Sequence, residues 1–319
     1  MKSAIPWIIF LAILFALLAF MIPSSVPLAM GESLPYYDPV ELTNPDIDPI
    51  PMDASTPYQP HEEGWFADGS GYRDGTIYVK IESRQLGATT VWFTWVQIAD
   101  PSQLRTTLWR RYPSKQTVFV TSMAEREHGV VTINGDYCVD RTQGVVIRNG
   151  VTLRKARATQ WDCMLIDGNG DMHIYRAPVP DNYDDFDGEI LQAFVFGPAL
   201  VIDGVLQTEF TEMCMRRTGG YGKAQRQVFC QMDKLSYLII TTEGPEENPR
   251  GGMTMAEVAS LAYEMGAQEA FNLDGGSSAW LVLNTRRINA LVGKKRTIAD
   301  AIYFITGEET YSMGSAAED

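Results

Sequence analysis

The stretch Ala270–Leu283 reads A-F-N-L-D-G-G-S-S-A-W-L-V-L, and its reading decides the fold. Ala270, Phe271 and Leu273 lead into Asn272 and Asp274; a second apolar run spans Trp280 to Leu283. The pattern predicts a buried strand, a tight polar loop and a strand returning into the core. Gly275 and Gly276 can take positive φ and let a ligand approach the backbone. Asp274 is expected at a strand end, facing a cleft. Ser277 and Ser278 add hydroxyls and backbone N–H groups able to hold an anion. The same residues also suit an ordinary turn, because Asp, Asn, Ser and Gly all favour turns for local reasons. The stretch is not a P-loop, since no G-K-[ST] follows the glycines. It is not a nucleophile elbow, since G-x-S-x-G is absent.

Working outward, 319 residues with 45% hydrophobic content give ample core material for one large domain or two small ones. A net charge of −14 argues against a nucleic-acid partner. At the N-terminus Lys2 precedes an uncharged apolar run, Ile5–Ile22, at the short end of the roughly 17–25 residues that span a bilayer. Ala29-Met30-Gly31 resembles a cleavage site. Residues 1–31 are therefore expected to be a signal peptide or an N-terminal membrane anchor. Either one makes the remainder extracytoplasmic, secreted or anchored, with membrane contact only through this segment. Residues 32–64 are Pro-rich and acidic and are expected to be an extended linker. Residues 308–319, small and acidic, are expected to be a disordered tail.

From Trp65 the chain is β-rich. Thr76–Glu82, Thr89–Ile98, Thr117–Thr121, Val130–Asn134 and Leu235–Thr242 read as strands. Val145–Arg154 reads as two strands joined at Asn149-Gly150. Asp100-Pro101-Ser102 is expected to open a helix over Gln103–Arg110. Asp167, Asn169 and Asp171 alternate like an EF-hand loop. Pro178, however, stands where that loop needs its bidentate Glu, so a hairpin tip is expected. Thr254 and Glu257 form a capping box, Val258, Leu261, Ala262 and Met265 recur at helical spacing, and Gly266 is a natural C′ residue. These elements predict one α+β domain over 65–307, with a mixed or antiparallel sheet and a few packed helices. Export and four cysteines (Cys138, Cys163, Cys214, Cys230) predict two disulfides. Three connectivities are open, with Cys138–Cys163 and Cys214–Cys230 favoured. Zinc bound by cysteine is not expected: no C-x-x-C occurs and the three His are scattered.

N-L-D-G-G-S-S, preceded by the helix-like Gly252–Ala267, resembles the signature of the phosphodiester glycosidase family. Ile133–Tyr137 (I-N-G-D-Y), Phe196–Gly204 (F-G-P-A-L-V-I-D-G), Arg226–Gln231 (R-Q-V-F-C-Q) and Arg296–Phe304 (R-T-I-A-D-A-I-Y-F) resemble it in the same order. The resemblance runs from about Thr76 to Thr306. It implies an exported hydrolase that cleaves the glycosidic bond of sugar-1-phosphodiesters in a phosphorylated glycan or cell-envelope polysaccharide. It implies Asn134 and Asp136 as site residues beside Asp274. The chain departs from the family at Asp136, where many members carry a second Gly, at Gln227 in place of Thr, and at Cys230 in place of Gly. The last fits a family-atypical disulfide.

The chemistry implied needs three services. Arg226 is the candidate for holding the phosphate, because guanidinium offers a planar fork of donors. Asp274, Glu243 and Asp136 are the candidates for charge stabilisation at the anomeric carbon and for proton transfer. Asn134, Gly275, Gly276, Ser277 and Ser278 are expected to bind substrate. Two other classes stay open. One is a catalytically inactive glycan-binding or envelope-assembly protein on the same fold. The other is a metal-dependent phosphodiesterase, in which Asp136, Asp274 and Asp300 converge on Ca²⁺ or Mg²⁺.

Overall fold

The computed structural model describes residues 33–36, 38–52, 58–178, 186–289 and 296–309. The predicted leader and most of the predicted tail lie outside them. Among the described residues no helix is long and apolar enough to cross a membrane.

Three sheets carry the fold. The first has eight strands in the spatial order β1 (Gly71–Arg73), β2 (Ile77–Leu86), β3 (Thr89–Ile98), β14 (Ser236–Thr242), β13 (Gln227–Asp233), β15 (Glu269–Asn272), β11 (Ala199–Ile202) and β12 (Val205–Leu206). The second runs β7 (Val151–Arg154), β6 (Val146–Arg148), β10 (Ile190–Phe196), β8 (Asp162–Asp167) and β9 (Met172–Tyr175). The third runs β17 (Arg286–Arg287), β16 (Leu281–Leu283), β5 (Val131–Asn134), β18 (Asp300–Phe304) and β4 (Leu104–Leu108). Strand pairings among the described residues are antiparallel, as in the central register Phe229↔Ile239. Three α-helices are described: α1 (Val120–Glu127), α2 (Glu212–Arg217) and α3 (Met255–Glu264). Among the described residues, with 37% strand against 14% helix, the fold is β-rich rather than the α+β domain expected from the sequence.

Side-chain alternation explains the layers. In β14, Tyr237 and Ile239 face one core; Leu238 and Ile240 face another. The first core draws on residues from Tyr72 to Phe304, with Phe229 stacked on Tyr237 at 5.5 Å, and lies between the first sheet and the other two. The second lies beneath α3, whose Val258, Leu261 and Ala262 are fully buried. Strands buried on both faces read as continuous apolar runs, which is why Leu235–Thr242 lacked a period.

The capping box of α3 forms as read, with Thr254 Oγ1 accepting from Glu257 N at 3.2 Å, and Gly266 takes φ +88° beyond its end. The hairpin tip at 167–171 is closed by Asp167 Oδ1, which accepts from the N–H groups of Asn169 and Asp171. Two expectations need correction. The predicted helix Gln103–Arg110 is a single 3₁₀ turn, Pro101–Gln103, followed by β4. Its Thr-rich face pairs with β18, and that pairing outweighs a weak helical preference. The predicted strand Thr117–Thr121 makes only one bridge, Val118 to Ile298, before α1 begins.

The Pro-rich segment has no regular element over 38–52, yet it lies against the domain. Leu42 and Ile50 are buried, Asn44 N donates to Gly75 O, and Ile50 N donates to Ser102 Oγ at 2.8 Å. The cysteines also depart from expectation: no disulfide joins any of the four. Cys138 and Cys163 sit in different apolar clusters. Cys230 packs beneath α3, whereas Cys214 donates to Phe196 O at 3.0 Å. Cys230, fully buried beneath α3, serves as a small apolar group.

Candidate functional site

The three sheets meet where the chain passes between them. Residues 273–280 carry it from β15 in the first sheet to β16 in the third. Gly197-Pro198 carries it from β10 to β11, from the second sheet to the first. Residues 135–145 carry it from β5 to β6, from the third to the second. These crossovers are polar and irregular because a strand changing sheets must leave its ladder. Their backbone groups are satisfied across the junction instead. Asn272 Nδ2 donates to Gly197 O at 2.8 Å. Leu273 N donates to Gln227 O and Gly276 N to Gln225 O. Asn134 Nδ2 donates to Asp274 O at 2.7 Å, and its Oδ1 accepts from Trp280 N at 3.0 Å.

Asn134 thus pins both ends of the Asp274 loop. Buried and fully engaged, it positions that loop rather than offering donors to a substrate, which corrects its expected role. Gly275 has no room for a side chain, since a Cβ there would lie 2.6 Å from Gln225 O. Gly276 is needed for conformation instead, with φ +59° and open space around it. It opens the short 3₁₀ turn Gly276–Ser278, which contains Ser277.

Asp274 lines a cavity of about 520 Å³. Arg141, Arg217 and Arg296 share its wall, with Trp161 and Phe196 beside them. Burial raises the Asp274 carboxyl above its ordinary value. Ser278, Arg296, Arg141 and the Gly275 N–H oppose the rise, in that order. Ser278 Oγ is buried beside Asp274, without a hydrogen bond of good geometry. The guanidinium of Arg141 lies 4.9 Å from the Trp161 ring centre and 5.0 Å from that of Phe196. Arg296 is exposed and stacks on Tyr137 at 5.1 Å. Of the residues expected from the sequence to carry chemistry or binding, only Asp274 lines this cavity.

Arg226 is not available to a phosphate. It is 1% exposed; its Nε donates to Met253 O, Nη1 to Thr218 O, and Nη2 to the carbonyls of Gly219 and Gly222. It fixes the loop that follows α2, the helix ending at Arg217. Glu243 also lies apart from the cavity wall. Its Oε1 accepts from Asn248 Nδ2 at 3.0 Å, which ties down the 244–251 loop.

Asp136 is buried behind the cavity. Its Oδ1 accepts from Arg148 Nη2 at 2.7 Å and its Oδ2 from Val195 N at 2.7 Å, while its own N–H donates to Asp300 Oδ2. Arg148 also reaches Asp300 at 3.3 Å. Gly135 must be glycine here because the Asp300 carboxylate occupies the place of a Cβ. Asp136, Cys138 and Asp300 are close enough to share a cation, and Asp274 is not among them. The donor set does not suit Ca²⁺ or Mg²⁺. Those ions want oxygen ligands, and here a thiol held well above its usual range by burial stands with two carboxylates already bridged by Arg148.

Sequence reading missed Arg141, Arg217 and Arg296 as a group. They come from three irregular segments with no common spacing, and only folding brings them to one wall.

A β-rich domain with a carboxylate loop at a three-sheet junction and a guanidinium-lined cavity defines the class of protein. Residues 127–305, more than half the chain, match the phosphodiester glycosidase family, and the chain belongs to that family of hydrolases. Its fold is similar to the catalytic domain of zebrafish N-acetylglucosamine-1-phosphodiester alpha-N-acetylglucosaminidase, described as auto-inhibited by its pro-peptide. The TM-score is 0.56 at 17% identity, over 78% of this chain and 87% of that one. It is also similar to a hypothetical protein from Synechocystis, with TM-score 0.51 at 13% identity, over 72% of this chain and 62% of that one. No curated protein sequence matches significantly.

Proposed function

We propose that this protein hydrolyses the glycosidic bond of a sugar-1-phosphodiester, in a phosphorylated glycan or cell-envelope polymer, within the Asp274 cavity. It acts outside the cytoplasm, delivered by the apolar N-terminal segment. The observation that carries the reading is the Asp274 carboxylate set among three arginines in one cavity. A diester phosphate is an anion, and guanidinium groups hold it while it departs. The anomeric carbon gains positive charge as its bond to the phosphate oxygen breaks, and a carboxylate stabilises that charge. The departing phosphate monoester is weakly basic, so a strong general acid is not required. A carboxyl raised by burial is suited to taking a proton from the attacking water. No step is assigned to a cation at the Asp136–Asp300 cluster, and chelation with EDTA should leave turnover unchanged.

The test is Asp274→Asn assayed on a panel of sugar-1-phosphodiesters. The side chains are nearly isosteric, so the melting temperature should hold. kcat should fall by about 100-fold or more, equivalent to roughly 2.7 kcal/mol of lost transition-state stabilisation. Near-wild-type turnover by the variant would reject the reading.

A further inference from the structure

Arg141 is set apart from the buried Arg226 and Arg148 and from the two other arginines of its own cavity. Arg226 spends its donors on backbone carbonyls, and Arg148 lies between two carboxylates. Arg217 and Arg296 are exposed at the rim, where water screens their charge. Arg141 lines the same cavity with only 12% of its side chain exposed. Its Nη2 is anchored by the carbonyl oxygen of Asp136, with the Asp136 carboxylate 3.8 Å away. Its Nε and Nη1 are buried and have no hydrogen-bond partner.

Such an arrangement is costly as it stands. Each buried donor left unpaired is destabilising, more so when it belongs to a charged group. Desolvation pulls the Arg141 guanidinium below its ordinary range, and the Asp136 charge opposes this first. The planar guanidinium also lies close to the Trp161 and Phe196 rings, which limit where its fork of donors can sit. An oxyanion arriving through the cavity would satisfy the unpaired donors and balance the charge. The nearby Asp136 carboxylate does not do so, because it is already committed to Arg148 and Val195.

We propose that Arg141 holds the phosphate of the diester, and that the Trp161–Phe196 end of the cavity is its phosphate subsite. The assignment rests on the hydrolase reading for its substrate but not for its anion. It moves phosphate recognition from Arg226, which immediately precedes β13, to the crossover between the third and second sheets. It also fixes polarity: the phosphate lies against Arg141, and the sugar's anomeric carbon lies between it and Asp274.

The probe is inorganic phosphate, titrated calorimetrically into the wild-type protein and into Arg141→Lys and Arg141→Met. The same variants are assayed on a sugar-1-phosphodiester and on a neutral aryl glycoside of the same sugar. Wild type should bind phosphate. Arg141→Lys keeps charge but loses the fork, and should bind it at least about tenfold more weakly; Arg141→Met should lose binding. KM for the diester should rise by a similar factor, and by more than KM for the neutral glycoside does. Arg217→Ala, at the rim, should weaken phosphate less than Arg141→Lys does. The assignment is overturned if wild type binds no phosphate, or if a folded Arg141→Lys binds it unchanged. If phosphate binds through Arg141 but Asp274-dependent hydrolysis is absent, the anion site stands and the hydrolase reading falls. If hydrolysis stands and Arg141→Lys changes neither phosphate affinity nor KM, only this assignment falls.

Discussion

Arg226 and Glu269 show what burial does to a charged side chain. Arg226 keeps its charge by donating to four backbone oxygens around the 218–222 loop and Met253. Arg226→Lys replaces that fork with one ammonium and leaves buried carbonyls unpaired. It should cost about 1–3 kcal/mol in chemical denaturation. KM for a phosphodiester should stay near wild type; a raised KM at unchanged stability would return Arg226 to the binding site. Glu269 is buried in β15, with Oε1 accepting from Asp203 N at 2.8 Å and Oε2 unpartnered. Burial pushes its carboxyl up to about 7; the Asp203 N–H opposes and the Asp203 charge adds to the rise.

At the scale of elements, the crossover loop between β15 and β16 is constrained more tightly than its composition implies. Gly275→Ala would drive a methyl into the Gln225 carbonyl, which is backbone already accepting from Gly276 N. It should cost about 1–3 kcal/mol and displace Asp274, lowering kcat as well as stability. Gly276 faces open space at φ +59°, a conformation Asn tolerates. Gly276→Asn should therefore cost under about 1 kcal/mol. Equal losses at the two positions, measured by urea denaturation, would show that the loop relaxes freely. The capped helix α3 offers a plainer test: Thr254→Ala removes the acceptor for Glu257 N and should cost about 1 kcal/mol.

At the scale of the whole molecule, pH and redox state act differently. Asp300 is pushed up to about 7, first by burial and then by the Asp136 charge, with Arg148 opposing. A carboxyl raised above its unfolded value binds its proton more tightly in the folded state. The stability it contributes is present below the unfolded value, about pH 4, and is lost as pH rises through about 7. Glu269 has the same sign. The melting temperature of Glu269→Gln relative to wild type should therefore climb by about 2–4 °C between pH 5 and 8. Parallel melting curves would place Glu269 in a solvated setting. With no disulfide, dithiothreitol should leave the melting temperature unchanged.

What the sequence alone determined was local. The strands Thr89–Ile98 and Leu235–Thr242, the capping box of α3, the 167–171 tip and the polar crossover at Asp274 all rest on neighbours within a few residues. Spacing, β-branching and turn chemistry report them directly. The family was legible for the same reason, since its short motifs mark the junctions where sheets meet. Tertiary structure decided the rest. β4 became a strand because β18 supplied its ladder, and the cysteines stayed apart because alternation sent them into different cores. Arg226 turned toward carbonyls that lie near only after folding. The guanidinium wall around Asp274 comes from residues 141, 217 and 296. Such long-range convergence leaves no period in the chain, because it depends on which sheets meet and not on which residues are adjacent.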